Sequence, residues 1–412
     1  MKRLVSLDLQ LHVSKLRHIA STLRSMLRNR HGSALVVIAA TLMFASSLFG
    51  QGQAPNRSII VLNFGAVPAN VAAQHGMVPE HVYQHALNGF AAVVPPGILR
   101  KLQNDPNVAW IEPDQEYSTS AKPVPPPPPQ PLQTIPYGIH RIEASTNPKF
   151  LTSPVDVDVA IIDTGIELNH PDLNVFKNVS FVRGARTGND DHFHGTHVAG
   201  TVAALNNAIG VVGVAPGARL WAVKVLNQNG SGTLSDVIKG VDYVTANSAS
   251  IEVANMSLGG GNSFALNTAI FNSVALGVVY VVAAGNSAAD AINFSPANSP
   301  DVLCVSAITQ DNKFASFSNF GYSVDIAAPG VLVFSTSTGQ GYRTLSGTSM
   351  ASPHVAGAVA LYLAGGIKPV NAGEVELVKM AIIFAGDAQS GTYGFTGDPD
   401  LFPEPVVNAF GL

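Results

Sequence analysis

The sequence contains very little cysteine. Its 412 residues include one, Cys304. A single thiol cannot form an intrachain disulfide bond, a cysteine-based zinc site or an iron–sulfur cluster. The strand-like residues around Cys304 predict a buried, inert thiol rather than a nucleophile. The fold must therefore be stabilised mainly by burial of apolar surface.

Charge is scarce as well. Charged residues make up 12% of the chain, about half the usual share. The 23 basic and 27 acidic side chains give a net charge of −4, too close to neutral for a protein that binds nucleic acid through its overall field. With 46% hydrophobic residues and 38 glycines, the composition excludes wholesale disorder and predicts a large core with many tight turns. The length allows roughly two to four domains.

One long apolar run, residues 33–49, follows a basic stretch near the start of the chain. Residues 1–54 carry seven basic groups and one acidic group, and small residues follow the apolar run. This pattern is typical of a signal peptide, so we expect residues 1–54 to direct secretion out of the cell. Because the basic leader is long, an uncleaved signal anchor or a periplasmic location stays open.

Residues 57–117 predict a small α+β module that precedes the main domain. Strand-like and helix-like segments alternate within about sixty residues. The predicted strands are 58–63, 89–94 and 108–111, and the predicted helices are 71–75 and 96–103.

Residues 118–136 predict a linker. Their proline run, within 121–131, must be extended because proline fixes its own φ and restricts the residue before it. At about 3.1 Å per residue the run spans roughly 30 Å as a semi-rigid spacer. A ligand for a proline-binding module is the alternative interpretation.

From residue 137 to 412, β-branched runs alternate with segments of helical length. Such alternation predicts a parallel sheet with helices on both faces, and polar chemistry at the carboxyl ends of its strands. The predicted strands are 155–162, 220–226, 251–255, 278–283 and 302–307, and the predicted helices are 196–204, 234–246 and 264–276.

Three polar motifs lie at predicted strand ends or helix starts. Asp163 follows a buried strand, His194 opens a helix in the motif His-Gly-Thr-His, and Ser349 opens another in Gly-Thr-Ser-Met-Ala. An acid, an imidazole and a hydroxyl are the parts of a nucleophilic triad, in which the histidine activates the hydroxyl and the carboxylate orients the histidine.

Two other kinds of site share these residues. Asp163-Thr-Gly is also the signature of aspartic proteases, but that chemistry needs a second Asp-Thr-Gly or Asp-Ser-Gly, and the sequence has none. His192, His194 and His197 are spaced like metal ligands. No carboxylate accompanies them at helical spacing, so we expect His197 to be a hydrogen-bonded neighbour of the site rather than a zinc ligand.

The motifs and their order resemble those of subtilisin-family serine proteases, and most closely the proteinase K-like branch. The resemblance implies that Asp163 orients, that His194 acts as general base and then general acid, and that Ser349 attacks the substrate to form an acyl-enzyme. It also implies that Asn286 and the backbone N–H of Ser349 form the oxyanion hole; a turn-capping asparagine is the alternative. Val198 stands where a cysteine often occurs in that branch.

The resemblance extends to substrate binding. Two extended segments would hold a substrate strand between them by backbone hydrogen bonds. A first specificity pocket of small and apolar side chains would favour apolar or aromatic residues before the cleaved bond. The segments are Gly230, Ser231, Gly232 and Ser257, Leu258, Gly259, and the pocket residues are Ala283, Ala284, Gly285 and Phe294.

The resemblance implies no cofactor for the chemistry but a structural calcium ion. The carbonyl oxygens of Pro300 and Val302 and the carboxylate of Asp325 would bind it, since calcium prefers oxygen ligands. A lone aspartate that caps a turn is the alternative.

Residues 58–117 resemble the inhibitory propeptide of the family, a ferredoxin-like module that Ser349 itself would cut off between Tyr117 and Lys122. The expected partners are protein or peptide substrates and the protein's own propeptide, but no nucleic acid, and a membrane only if the leader is retained. The mature protein would be a monomer. A catalytically silent scaffold and a processing protease of narrow specificity are the competing interpretations.

Overall fold

A computed structural model describes residues 53–119, 131–152 and 154–412. The predicted signal segment, apart from its last two residues, and the proline run, apart from Pro131, therefore lie outside the described residues. Within the described residues no helix is long and apolar enough to cross a membrane.

The N-terminal module has four strands and two helices. Its sheet has the order β2-β3-β1-β4 with antiparallel neighbours, which is the ferredoxin-like arrangement and confirms the predicted α+β fold. The elements are β1 (Gln53–Leu62), α1 (Pro68–Gln74), β2 (His81–Tyr83), β3 (Gly89–Val93), α2 (Pro96–Gln103) and β4 (Val108–Ser118).

Both faces of this small sheet are apolar. Alternate residues of a strand point to opposite faces, so Ile60 and Leu62 of β1 join the module's own core with Phe90. Ile59 and Val61 point the other way and join the core of the large domain. The module is therefore packed against the large domain rather than tethered beside it.

The large domain is built on a seven-stranded sheet of order β14-β13-β11-β9-β5-β7-β6, and every neighbouring pair is parallel. The predicted parallel sheet is confirmed. Its first elements are α3 (Tyr137–Arg141), α4 (Pro148–Leu151), β5 (Asp158–Asp163), β6 (Val175–Ser180), α5 (His194–Ala203), β7 (Arg219–Lys224), β8 (Ser231–Thr233), α6 (Leu234–Ala246), β9 (Val253–Met256) and β10 (Gly260–Gly261). Its later elements are α7 (Phe264–Val274), β11 (Val279–Ala283), β12 (Phe294–Ser295), β13 (Leu303–Ile308), β14 (Ile326–Pro329), β15 (Val333–Ser337), β16 (Gly341–Leu345), α8 (Thr348–Leu363) and α9 (Ala372–Ala385).

Helix α8 packs directly against the centre of the sheet. All of its residues except Tyr362 are buried, as expected for a helix that is apolar on every side. Since parallel strands end at the same edge, the ends of β5, β9 and β11 bring Asp163, Ser257 and Ala283 to the edge where α8 begins. The candidate site is built at this edge.

Candidate active site

Asp163 and His194 are in direct contact. The Nδ1 atom of His194 lies 2.8 Å and 2.9 Å from the two carboxylate oxygens of Asp163, and both side chains are fully buried. A proton on Nδ1 is the one that can be donated to the carboxylate, so Nε2 is left as the basic nitrogen. Nε2 has no hydrogen-bond partner among the described residues. The imidazole is thus oriented and available to accept a proton.

Gly195 allows this contact to form. A Cβ atom at Gly195 would lie 2.1 Å from the carbonyl oxygen of Gly165 and 3.2 Å from Asp163 Oδ1. Any side chain there would push the start of α5 away from the end of β5. The glycine that follows His194 is therefore required by close approach of the two backbones.

Asp190, which the sequence analysis missed, holds the start of α5. Its Oδ1 accepts the N–H groups of His192 and Phe193, and its Oδ2 accepts N–H and Oγ1–H of Thr196. Thr164 also donates to Oδ1, so Asp190 connects this helix to the residue after Asp163. A carboxylate just before a helix start was the available signal.

Ser349 lies in the first turn of α8 and is buried. Its Oγ donates to the carbonyl oxygen of Ser257 at 3.1 Å, and Ser257 Oγ donates to the carbonyl oxygen of Ser349 at 2.9 Å. These reciprocal bonds fix the start of α8 to the end of β9. The hydroxyl is therefore held at the same edge of the sheet as Asp163.

Asn286 presents an amide donor beside Ser349. Its Oδ1 accepts the backbone N–H and the Oγ1–H of Thr348, each at 2.9 Å. Its Nδ2 is buried and has no partner among the described residues, and it would lie 3.1 Å from a Cβ atom at Gly347. A buried donor without a partner is costly unless a ligand uses it. This orientation is suited to binding an oxygen that gains negative charge.

The end of β4 lies between the two segments predicted to hold a substrate strand. Tyr117 pairs with Gly232 and Ser118 with Ser231, in antiparallel register. On its other side Ser118 exchanges two hydrogen bonds with Gly259, of 3.2 Å and 3.3 Å. The module thus adds a strand across the groove, as an extended peptide does in β-addition.

The Tyr117 side chain is fully buried in this groove. A Cβ atom at Gly260 would lie 2.8 Å from the tyrosine ring, and the phenol donates to the carbonyl oxygen of Gly261 at 2.9 Å. The groove therefore has room for an aromatic side chain only because residue 260 is glycine.

Two carboxylates of β4 cap helices of the large domain. Asp114 accepts the N–H and Oγ–H of Ser235 at the start of α6, at 3.0 Å and 2.7 Å. Glu112 accepts the N–H of Ala265 at the start of α7, at 2.9 Å. Negative charge is favourable at helix N-termini, so these contacts hold the module over the groove. Neither carboxylate was predicted from the sequence to have a role.

The three histidines do not form a metal site. His197 Nε2 lies 3.1 Å and 3.2 Å from the carbonyl oxygens of Val333 and Arg343, where it acts as a donor. Burial, with a smaller contribution from His194, lowers the pKa of His197 to about 3. His192 stacks on Phe193. The described residues contain no group of three or more histidine, cysteine, aspartate or glutamate side chains that could hold a metal ion. The prediction of a hydrogen-bonded His197 is confirmed.

The residues predicted to line the first specificity pocket lie at the end of β11, directly after β11, or within β12. Val282 pairs with Met256, so Ala283, Ala284 and Gly285 follow beside Ser257. Phe294 pairs with Gly261 in the small β10–β12 sheet and borders the same groove. Cys304 is fully buried, and burial raises its pKa well above the usual value, which confirms the prediction of an inert thiol.

The predicted calcium ligands do not fit a calcium ion. The carbonyl oxygen of Pro300 accepts a hydrogen bond from the ammonium group of Lys379 at 2.8 Å. Asp325 Oδ2 accepts the backbone N–H of Cys304 at 2.9 Å. A positive charge from within the chain already lies against one intended ligand, so a divalent cation would be repelled there.

A different group of oxygen atoms suits calcium better. The buried Asp172 carboxylate lies 2.7 Å from Nδ2 of Asn207, and Gln133 lies against the carbonyl oxygens of Leu205 and Val211. Burial raises the pKa of Asp172 to about 6. Rotating either amide by half a turn presents its oxygen instead of its nitrogen, so one carboxylate, two carbonyls and two amides make an oxygen-rich set.

Comparisons with known proteins agree with this geometry. The subtilase family profile matches residues 155–386, and the peptidase inhibitor I9 profile matches residues 68–120. An alkaline protease of Alkalihalobacillus alcalophilus is 46% identical over 261 residues, covering 63% of this chain and 65% of that protein. The chain thus spans slightly less than two thirds of that relative.

Two further comparisons cover more of the matched protein. Subtilisin NAT of Bacillus subtilis subsp. natto is 43% identical over 285 residues, covering 67% of this chain and 71% of that protein. The crystal structure of a cold adapted subtilisin-like serine proteinase superposes with a TM-score of 0.56 at 35% identity, covering 67% of this chain and 98% of that one. The neighbour shares the subtilisin-like fold.

Proposed function

This chain belongs to the subtilase family, and on that premise we propose that it is a secreted serine endopeptidase that is made as a zymogen and removes its own N-terminal module. The carrying observation is the antiparallel strand at residues 116–119, which leads along the groove towards Ser349. The I9 match to the module supports the same conclusion. Its substrates are proteins or peptides, and the mature protease acts as a monomer.

The proposed chemistry uses Asp163, His194 and Ser349. As Ser349 Oγ attacks the scissile carbonyl carbon, its proton passes to Nε2 of His194, while Asp163 stabilises the resulting imidazolium. His194 then gives this proton to the leaving amine, the C–N bond breaks, and an ester to Ser349 remains. Water repeats the sequence and releases the acid. A χ1 rotation turns the Ser349 hydroxyl from Ser257 towards His194 for the first step.

Asn286 Nδ2 and the backbone N–H of Ser349 stabilise the oxyanion. Both donors are fixed before substrate arrives, because Asn286 is held through Thr348 and Ser349 is at the start of α8. Donors arranged in advance need no reorganisation during the reaction. No cofactor takes part in these steps. A structural calcium ion fits the oxygen atoms around Asp172 and does not fit the predicted Pro300, Val302 and Asp325 set.

The strand register supports one position for the proposed cut. Ser118 is opposite Gly259. Antiparallel partners run in opposite directions, so a substrate residue two positions further along would be opposite Ser257, whose carbonyl accepts the Ser349 hydroxyl. We therefore assign self-cleavage to the bond between residues 120 and 121, within the interval of Tyr117 to Lys122 expected from the sequence. Both residues lie outside the described residues.

Processing is tested with the full chain and its Ser349→Ala variant, incubated without added protease. We expect the wild type to lose the residues up to 120 and the variant to remain joined, as measured by intact mass and N-terminal sequencing. A catalytically silent scaffold predicts that both chains stay intact. Cleavage of Ser349→Ala at the same rate would assign the cut to another protease.

Apolar or aromatic residues are preferred immediately before the cut bond. The expected pocket residues Ala283, Ala284, Gly285 and Phe294 are small or apolar and include no acid. Self-cleavage after serine is compatible with this preference, since an intramolecular substrate has a high effective concentration. Peptides that differ only at this position should give a higher kcat/KM with phenylalanine than with lysine or arginine, and the reverse order would contradict the proposal.

A further inference from the structure

Lys379 is a buried lysine on α9, outside the triad. Its side chain is 6% exposed, and its Nζ donates to the carbonyl oxygen of Pro300 at 2.8 Å. Lysine is almost never buried to this extent without a partner for its charge. The groups around the Lys379 ammonium must therefore stabilise its positive charge.

Two acidic side chains interact with this ammonium group. Glu376 Oε2 of the same helix lies 3.4 Å from it. Asp301, next to Pro300, interacts with both charges: burial raises the pKa of its carboxyl, and Lys379 opposes that increase. The Lys379 ammonium therefore lies near oxygen atoms of Pro300 and Glu376, as a bound metal ion would.

The contact with Pro300 holds a loop that borders the substrate groove. We define the pocket loop as residues 294–302, which comprise β12 and the segment that leads from it to β13. At its start Phe294 pairs with Gly261, and its carbonyl oxygen accepts the N–H of Asn298 at 2.9 Å. At its end Lys379 holds Pro300. If the contact between Lys379 and Pro300 were lost, we would expect Phe294 at the other end of the loop to move as well.

We propose that Lys379 supplies from within the chain the positive charge that a calcium ion would supply to the pocket loop. Lys379 is then a positioning residue for the first specificity pocket, an inference that rests on the proposed protease function. A tethered ammonium does not dissociate, so the loop keeps its geometry at any calcium concentration. This replaces the calcium ion expected at Pro300, Val302 and Asp325.

Three substitutions in the full chain test the proposal. Lys379→Ala removes the charge and leaves space, and Lys379→Met removes the charge but keeps the packing of the side chain. Lys149→Met is the matched control, because Lys149 Nζ also donates to a backbone carbonyl, that of Leu361 at 2.7 Å. Two quantities are measured with and without calcium chloride: kcat and KM for a phenylalanine peptide, and the thermal unfolding midpoint in Ser349→Ala chains.

We expect both Lys379 variants to raise KM about tenfold with a smaller change in kcat, and to lower the unfolding midpoint. Millimolar calcium should restore Lys379→Ala but neither Lys379→Met, where the side chain fills the space, nor Lys149→Met. Magnesium should restore none, because it keeps its own water shell. Calcium bound near Asp172 would act equally on the wild type, so each variant is compared with the wild type at the same calcium concentration.

Unchanged KM and unchanged unfolding in both Lys379 variants would overturn the proposal. Losses that calcium does not reverse in Lys379→Ala would show that the loop needs packing rather than positive charge, which also contradicts it. If the wild type has no protease activity, the proposed function fails. The unfolding midpoints of the Ser349→Ala chains still decide the role of Lys379 in that case.

Discussion

Asn286 shows how a single side chain is prepared for catalysis. One end of its amide is occupied by Thr348, and the other end has no partner among the described residues. The bonds from Thr348 to Oδ1 fix the direction in which Nδ2 points. An asparagine that merely caps a turn would not need a buried, unused donor aimed at the start of α8.

Asn286→Ala should lower kcat by about 10² to 10³ with little change in KM, the range measured for losing one such donor in subtilisin. The donor is used only when the oxyanion forms, so ground-state binding is hardly affected. Steady-state kinetics on a peptide substrate provide the measurement. Thr348→Val is the matched comparison: it removes one bond to Asn286 Oδ1 and should have a smaller effect. An unchanged kcat in Asn286→Ala would rule out the oxyanion role.

At the scale of elements, the module is held by strand β4. Its end adds a strand to β8, and its middle caps α6 and α7 with Asp114 and Glu112. Asp114 also accepts Arg57 Nε at 2.5 Å. One strand therefore both blocks the groove and fastens the module, so we expect the module to stay bound after the proposed cut.

Asp114→Asn should speed release of the cleaved module by about 10- to 100-fold, since hydrogen bonds to a charged group contribute roughly 1.5–3 kcal/mol. The variant keeps the shape of the side chain and removes its charge. The measurement is the lag between self-cleavage, followed by mass, and the appearance of activity towards a peptide. Glu80→Gln is the control, because Glu80 pairs with the same Arg57 but is 42% exposed, and exposed pairs contribute little. Equal lags in the two variants would contradict the capping role.

At the scale of the whole molecule, the C-terminal segment closes the edge of the large sheet. Ala327 of β14 donates to the carbonyl oxygen of Pro405 at 2.8 Å, and Val407 donates to Ala327 at 2.9 Å. The neighbouring Glu404 is buried and accepts Ser306 Oγ of β13 at 2.8 Å. Burial, with a contribution from Asp398, raises the pKa of Glu404 to about 8.

This pKa makes stability depend on pH. Between about pH 4.3, the ordinary value for glutamate, and about pH 8, the folded chain keeps a proton on Glu404 that the unfolded chain releases. The free energy of unfolding therefore falls as the pH rises through this window. Glu404→Gln should remove this part of the decrease in the free energy of unfolding. The variant should therefore become more stable relative to its parent as the pH rises from 5 to 9.

Thermal unfolding in Ser349→Ala chains measures this difference without self-digestion. The exposed Glu116→Gln should show no such pH-dependent gain. If Glu404→Gln and its parent lose stability in parallel between pH 5 and pH 9, Glu404 is not protonated in the fold and the prediction is wrong.

The sequence by itself determined the elements whose signals are local. Helix α6 has the predicted bounds, 234–246, because its apolar period follows a capping box of Thr233 and Asp236. Five of the seven strands of the large sheet were found within a few residues, because β-branched runs between turn residues have few alternatives. The buried strand β14 was missed, since its sequence Ile-Ala-Ala-Pro contains a single β-branched residue. Strand β6 was missed, since its residues are mostly half-exposed or exposed and give no buried run. The local motifs also contain the three residues of the candidate triad, in the order Asp163, His194, Ser349.

The tertiary structure decided what depends on contacts between distant segments. The short predicted strand at 108–111 became β4, ending at Ser118, because β1 pairs with it as far as Gln115 and β8 of the large domain pairs with its last three residues. The predicted calcium ligands do not fit calcium because the Lys379 ammonium donates to the carbonyl oxygen of Pro300. The two residues are 79 positions apart in the chain, so no local pattern could predict this contact. Polar atoms are satisfied by whichever partner folding brings near. The chemical type of a side chain can therefore be read from the sequence, whereas the partner of each polar group is known only from the fold.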